Sequence, residues 1–243
     1  MRVLILQHTK GEHPAAFADH VAAAGDAAHV VHLYLGEGLP DLAPFHAMMV
    51  MGGPMDVWEE DAHPWLVPEK RAIAAWVRSG RPYLGICLGH QLLVEAMGGQ
   101  CAKMAVPEVG VMPMDLTEDG RADPVLSRLP GATDGPVRVM QWHGVEAVRL
   151  PADTAPLARN ANCPVQAIRV GRRAWGVQFH PEITEDLCAY WMKDPGNRAT
   201  AIDWLGSAEA ADRFAADSEA HVPTALRNSA ALYAGLREAA LEG

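Results

Sequence analysis

Arg81-Pro82-Tyr83-Leu84-Gly85-Ile86-Cys87-Leu88-Gly89-His90-Gln91-Leu92-Leu93 decides how this chain is read: an apolar run turns helical directly after a cysteine framed by two glycines. Pro82 to Ile86 reads as a buried strand, and Leu88 to Met97 repeats apolar residues at helical spacing until Gly98-Gly99 ends it. Cys87 therefore falls on the turn between strand and helix, where a strained backbone pushes a side chain out above the sheet. Gly85 and Gly89 suit such a nucleophile elbow, because the tight turn leaves no room for side chains two residues to either side. The Leu88 amide would point to the same spot as the sulfur. The positive end of the helix starting there favours a thiolate over a thiol and an oxyanion over a carbonyl.

A cysteine so placed needs a base, and the base needs an orienter. Trp175-Gly176-Val177-Gln178-Phe179-His180-Pro181-Glu182 supplies both: an apolar strand ending in a histidine, then a proline and a glutamate. Pro181 fixes its own torsion and discourages a helix before it. His180 and Glu182, two apart in extended chain, project the same way. The carboxylate can then hold one ring nitrogen while the other faces Cys87.

Gly-Ile-Cys-Leu-Gly-His-Gln at 85 to 91, with Gln-Phe-His-Pro-Glu at 178 to 182, resembles the triad-type (class I) glutamine amidotransferase family. Within it the likeness is to the free-standing GMP synthase-like amidotransferases, a group related to the plant γ-glutamyl peptidases. The resemblance runs from about residue 45 to about residue 185. It includes Met51-Gly52-Gly53-Pro54-Met55, the family's oxyanion loop, and Gln141-Trp142-His143-Gly144, so four motifs stand in the family's order. It implies an α/β fold: an open, mainly parallel, flavodoxin-like sheet with helices on both faces. It implies a triad of Cys87, His180 and Glu182, an oxyanion hole from the amides of Gly53 and Leu88, and substrate contacts at Gly52, Gln91, Val109 and Gly110. The last two belong to Glu108-Val109-Gly110, whose main chain would meet the amino-acid end of the substrate. By itself, Gly52-Gly53 would read as a tight loop after a strand; beside Cys87 it reads as an oxyanion donor.

The implied chemistry is cysteine-dependent hydrolysis of the side-chain amide of glutamine or a γ-glutamyl compound, through a γ-glutamyl thioester on Cys87. A glutaminase subunit passing ammonia to a separate synthetase partner is the alternative. A silent regulator that keeps the pocket as a binding site is the third, and the intact Cys87, His180 and Glu182 argue against it. With no P-loop and no GxGxxG pattern, the chain is not expected to activate an acceptor with ATP. No cofactor and no metal are expected, since His29, His32 and the other histidines lack a ligand constellation.

The 243 residues suit one α/β domain with an extension, and 49% hydrophobic with 21% charged residues places the chain among globular proteins. A formal charge of −10 argues against a nucleic-acid partner, which needs a basic footprint. Cys87, Cys101, Cys163 and Cys188 have no metal-type spacing; with one reactive thiol expected among them they point to a reducing compartment, and the other three read as small buried hydrophobes. Met1 to Leu6 is too short for a signal peptide, and no apolar stretch approaches the ~20 residues of a membrane span. The protein reads as cytoplasmic, with no membrane partner.

Strands are expected at Arg2 to Gln7, Ala28 to Tyr34 and Ala47 to Met51, and helices at about Pro14 to Ala24 and Pro68 to Arg78. The alternation implies right-handed crossovers and a ligand site beyond the carboxyl ends of the strands. The loop from Asp56 to Pro68 carries Glu59, Glu60 and Asp61 as a solvated rim, with Trp58 a candidate for the pocket mouth. Short strands at Gln100 to Ala105, Gly110 to Leu116, Val137 to Trp142 and Gln166 to Val170 predict an antiparallel extension. His90 and His143 read as packing residues. Residues 1–190 are expected to form the catalytic domain and 191–243 a helical extension packed on it. Leu226, Ala230, Tyr233 and Leu236 are its expected apolar stripe.

Overall fold

The structure, a computed structural model, describes residues 1–242. The chain opens with β1 (Arg2–Gln7), α1 (Ala16–Ala23), β2 (Ala27–His32) and β3 (Ala47–Val50). Helix α2 (Leu66–Arg78), strand β4 (Tyr83–Ile86) and helix α3 (Leu88–Ala96) follow, then β5 (Gln100–Leu116) and α4 (Glu118–Ala122). Strands β6 (Val137–Arg149), β7 (Thr154–Arg159), β8 (Ala167–Val170) and β9 (Ala174–Val177) complete the sheet. Helices α5 (Glu185–Lys193), α6 (Pro195–Leu205) and α7 (Ala208–Leu241) close the chain.

All nine strands join one sheet in the order β2-β1-β3-β4-β9-β8-β7-β5-β6. Pairings from β2 through to β9 are parallel, and those from β9 outward to β6 are antiparallel. Within the parallel half, β1, β3, β4 and β9 are buried on both faces, which is why they read as apolar runs, while the edge strand β2 is largely exposed. In β1, Val3 and Ile5 face α1 and α7, packing with Phe17, Leu232 and Leu236, while Leu4 and Leu6 face α2 and α3, packing with Ile73, Trp76 and Leu92. Among the described residues no helix is long and apolar enough to cross a membrane.

The antiparallel half differs in detail from expectation. One long β5 replaces two short strands, because the register slip against β6 between Lys103 and Glu108 absorbs Val106-Pro107 without ending the pairing. Strand β7 was not expected, and it holds the middle of the extension. The C-terminal stripe holds at Leu236 but is otherwise offset: Leu226 is 37% exposed and Ala230 is exposed, while Ala211, Phe214, Val222, Ala225, Leu232 and Ala239 are buried apolar positions of α7. Tyr233 does pack inward, and its hydroxyl donates to Asp26 at 2.7 Å.

Because β3, β4 and β9 are parallel neighbours, the segments that follow them emerge at one edge. The loop Met51-Gly52-Gly53, Cys87, and the run from Gln178 to Glu182 therefore meet there. The register Ile86 opposite Val177, and a 2.8 Å bond from the Cys87 amide to the Val177 carbonyl, set Cys87 beside the His180 segment.

Candidate active site

Cys87 adopts φ 49° and ψ −102°, a strained conformation for a residue with a Cβ. Its neighbours must be glycine. A side chain at Gly85 would run into the Gly89 carbonyl at 2.4 Å, and one at Gly89 into the Val50 carbonyl oxygen at 2.1 Å. Helix α3 starts at the next residue, with the Gln91 amide bonded to the Cys87 carbonyl at 3.1 Å. The thiol is 6% exposed and lies on the wall of a cavity of about 470 Å³.

His180 lies in the same cavity, and its Nδ1 is 2.8 Å from Oε1 of the fully buried Glu182. Burial alone would pull its pKa down, but the Glu182 charge, the Cys87 sulfur and the hydrogen bonds to both hold it well above the ordinary histidine value. Two backbone bonds fix the dyad: the His180 amide to the Met140 carbonyl at 2.9 Å, and the Ala16 amide to the Glu182 carbonyl at 3.1 Å. Trp191 stands edge-on to the imidazole at 5.0 Å.

Gly53 lines the cavity, and the loop it belongs to is packed closely against the ends of neighbouring side chains. A Cβ on Gly53 would fall 2.7 Å from the Leu88 side chain, and one on Gly52 would fall 2.5 Å from the Glu12 carboxylate and 3.3 Å from the His180 ring. Gln91 reaches the cavity from α3, with long contacts of 3.5 Å to the Val145 carbonyl and 3.4 Å to Gln178. The Leu88 side chain is buried against the Gly53 loop rather than in the cavity. On β5 the cavity is walled by Lys103, Met104 and Pro107; Val109 instead packs into the core beside Met140 and Ile183, and Gly110 is not on the wall. The expected contacts at Val109 and Gly110 are main-chain ones, which the inward packing of the Val109 side chain leaves untouched.

Four other expectations turn on exposure, and among them His143 is buried yet also lines the cavity. His143 is tied to Glu108 at 2.9 Å and to the Val145 carbonyl at 3.0 Å, and Glu108 also accepts from Asn160 and Gln166. This cluster holds the slipped stretch of β5 against its neighbours. His90 is wholly buried, and desolvation presses its pKa down to about 4. Trp58, 40% exposed, lies outside the cavity wall. Cys101, Cys163 and Cys188 are buried, and desolvation raises all three thiols, Cys163 to about 12.

Sequence reading missed two residues at the centre. The Gln178 side-chain amide donates to the Cys87 sulfur at 3.6 Å. Glu12, from the loop after β1, brings Oε2 to 4.0 Å from His180 Nδ1, and that oxygen is buried without a hydrogen-bond partner among the described residues. Burial raises Glu12, His180 opposes, Glu182 raises it again, and the carboxyl settles at about 7. Glu12, His180 and Glu182 bring ligand atoms within 4.8 Å of one another, as do Glu108, His143 and Cys163. In the latter set Glu108 and His143 are engaged by the bonds just described, and Cys163 Sγ donates to the Val165 carbonyl at 3.4 Å.

The outer cavity is aromatic. Trp142 from β6, Trp191 from α5 and Trp204 from α6 face it, and Trp204 lies over Gly144, where a Cβ would approach the indole to 3.0 Å. Asn197 and Thr200 of α6 complete this side.

Residues 30–187 match the family model described as glutamine amidotransferase class-I. The chain belongs to this family. It is 31% identical over 188 residues to a glutamine amidotransferase-like protein, YfeJ, of Salmonella typhimurium, covering 76% of this chain and 77% of that one. Against the glutamine-hydrolysing GMP synthase of Aeropyrum pernix the identity is 34% over 149 residues, 61% of this amidotransferase chain but only 26% of the synthase, so the chain spans about a quarter of that relative. The crystal structure of a glutamine amidotransferase from Methylobacillus flagellatus superposes with a TM-score of 0.84 over 98% of this chain and 94% of that one at 24% identity, a likeness of fold.

Proposed function

We propose that this class-I glutamine amidotransferase hydrolyses the side-chain amide of glutamine or of a γ-glutamyl compound on its own, with Cys87 as nucleophile and His180 and Glu182 as base and orienter. The observation that carries this is His180, with one nitrogen held by Glu182 at 2.8 Å and its proton affinity raised by the Glu182 charge and then by the Cys87 sulfur. The sulfur attacks the amide carbon, forming an S–C bond, while Gly53 and Leu88 amides receive the charge on oxygen. Collapse breaks the C–N bond as His180 passes a proton to the departing ammonia or amine, leaving a γ-glutamyl thioester. Water then loses a proton to His180, its oxygen bonds to the carbonyl carbon, the C–S bond breaks, and glutamate leaves as the thiol is regenerated. Glu182 keeps the imidazole oriented through both halves.

A cavity of about 470 Å³ falls within the roughly 300–1,000 Å³ of small-molecule sites and leaves space beyond a free glutamine. That space, walled by Trp142 and Trp204, supports a γ-glutamyl amide with an apolar amine as substrate. On this reading residues 1–190 carry the chemistry, and the helices of 191–243 shape the leaving-group side. The four free cysteines and the reactive thiol support a reducing, cytoplasmic setting.

The second reading is a glutaminase subunit that hands ammonia to a synthetase, favoured by the GMP synthase that is about four times the matched length. The test is glutamate release by the purified protein alone, offered glutamine and a panel of γ-glutamyl amides, with Cys87→Ala as control. Turnover lost in the control supports the hydrolase. No turnover, with Cys87 still readily alkylated, supports the synthetase-dependent subunit.

A further inference from the structure

His8 follows β1 and lies beneath the glycine loop; Glu69 sits in the first turn of α2. Both side chains are fully buried, and neither has a part in the reaction described above. His8 Nδ1 is 2.9 Å from the Gly52 carbonyl oxygen, and His8 Nε2 is 2.9 Å from Glu69 Oε1. A carbonyl only accepts, so Nδ1 carries a proton that it donates to Gly52. The peptide joining Gly52 to Gly53 is trans, like the others described here. In a trans peptide the carbonyl and the following N–H point in opposite directions. Fixing the Gly52 carbonyl toward His8 therefore fixes the Gly53 N–H on the other side, toward the cavity that Gly53 lines.

Glycine pairs are the least constrained backbone in a protein, and a Gly-Gly peptide left to itself can rotate by half a turn at little cost. A rotated peptide would present a carbonyl oxygen to the developing oxyanion in place of a donor. Resting on the hydrolase reading, we propose that His8, held by Glu69, is a positioning residue for the oxyanion hole: it locks the Gly52-Gly53 peptide with its N–H facing the substrate carbonyl. Burial alone would strip the His8 proton, but the charge and hydrogen bond of Glu69 outweigh it, and the Gly52 carbonyl adds to them. A persistent donor at Nδ1 is the result.

The test separates this role from packing. An asparagine places its amide nitrogen where Nδ1 lies, and a glutamine where Nε2 lies, so only His8→Asn keeps the donor to Gly52. Two rates are read for each variant: acylation of Cys87 by an activated γ-glutamyl ester in a single turnover, which forms an oxyanion, and alkylation of Cys87 by iodoacetamide, which does not. His8→Gln is expected to acylate about 100-fold more slowly, the loss typical of one oxyanion donor, with KM nearly unchanged and alkylation within about twofold of the parent. His8→Asn is expected to recover acylation to within about tenfold. Equal acylation by His8→Gln and the parent overturns the proposal, as does parallel loss of acylation and alkylation. Should His8→Gln not fold, His8→Asn still decides: a 100-fold acylation loss with normal alkylation contradicts the donor role. Absence of acylation in the parent itself overturns the hydrolase reading, and the proposal with it.

Discussion

The side-chain amide of Gln178 donates to the sulfur of Cys87 at 3.6 Å, one residue beyond the strand pair that aligns Ile86 with Val177. A neutral donor aimed at sulfur stabilises the anion that attacks without supplying a proton that would quench it. Replacing Gln178 by methionine keeps the volume and removes the donor. Alkylation of Cys87 at neutral pH is expected to slow about tenfold, the worth of roughly 1.4 kcal/mol for a hydrogen bond to a charged group. Equal rates in the two proteins would assign Gln178 to packing.

Glu182 is the only carboxylate within hydrogen-bond range of His180 Nδ1 among the described residues. Glu182→Gln preserves shape but removes the charge and leaves the imidazole free to take the wrong tautomer. Turnover is expected to fall by about 10⁴, in keeping with triads in which the acid becomes an amide. A loss below tenfold would mean that Glu182 does not orient the base.

Glu12 predicts a pH dependence with a definite sign. Its carboxyl is raised from 4.5 to about 7 in the folded protein, so folding binds a proton between those values. Stability contributed at that position is present below about 4.5 and is lost as pH rises to about 7, where the partly buried carboxylate must charge beside Glu182. Glu12→Gln should therefore melt several degrees higher than the parent at pH 8 and within a degree or two of it at pH 5. The pH profile of Cys87 alkylation should also lose an inflection near 7, since the charged form lies 4.0 Å from His180. A melting difference that is the same at both pH values would refute the assignment.

Trp204→Ala removes the half-exposed wall over Gly144. The ratio of kcat/KM for a γ-glutamyl anilide over that for glutamine should drop about tenfold, because an aromatic contact worth roughly 1 kcal/mol or slightly more is lost for the larger substrate only. An unchanged ratio would separate the aromatic wall from substrate choice.

Gly89→Ala tests the elbow itself. The new Cβ would meet the Val50 carbonyl oxygen at 2.1 Å, and β3 is buried on both faces with nowhere to retreat. Destabilisation of about 2–4 kcal/mol is expected in chemical denaturation, in line with overpacking against backbone. A change under about 1 kcal/mol would show that the strand-to-helix turn is looser than the structure has it.

That Cys87, His180 and Glu182 would come together at one edge of the sheet was legible because each sits just past a strongly apolar strand, where local pattern alone fixes direction and spacing. The parallel half of the sheet was legible for the same reason. Strand β7 was not: Thr154-Ala155-Pro156-Leu157-Ala158-Arg159 carries a proline in mid-strand, and the register shift that accommodates it exists only because β8 and β5 are alongside. The stripe of α7 was misplaced because alanine is spread around the whole helix and blurs its period. Glu12 and the His8–Glu69 pair left no local signal. Glu12 becomes a neighbour of His180 only across 168 positions, and His8 of Glu69 only across 61. Gln178 stood in a quoted motif, yet its side chain acquires meaning only once the register puts it beside the sulfur. Val109 and Gly110 were placed by resemblance alone, whereas the wall residues Lys103, Met104 and Pro107 on β5 gave no signal in the sequence.

The central claim is a γ-glutamyl thioester on Cys87, and the most direct measurement is peptide mapping by mass spectrometry of protein quenched in acid during steady-state turnover. The account predicts one γ-glutamyl group on the peptide carrying Cys87, absent from Cys87→Ala and removed by hydroxylamine at neutral pH. Glutamate release that continues in Cys87→Ala, or a γ-glutamyl group found on another residue, would contradict it.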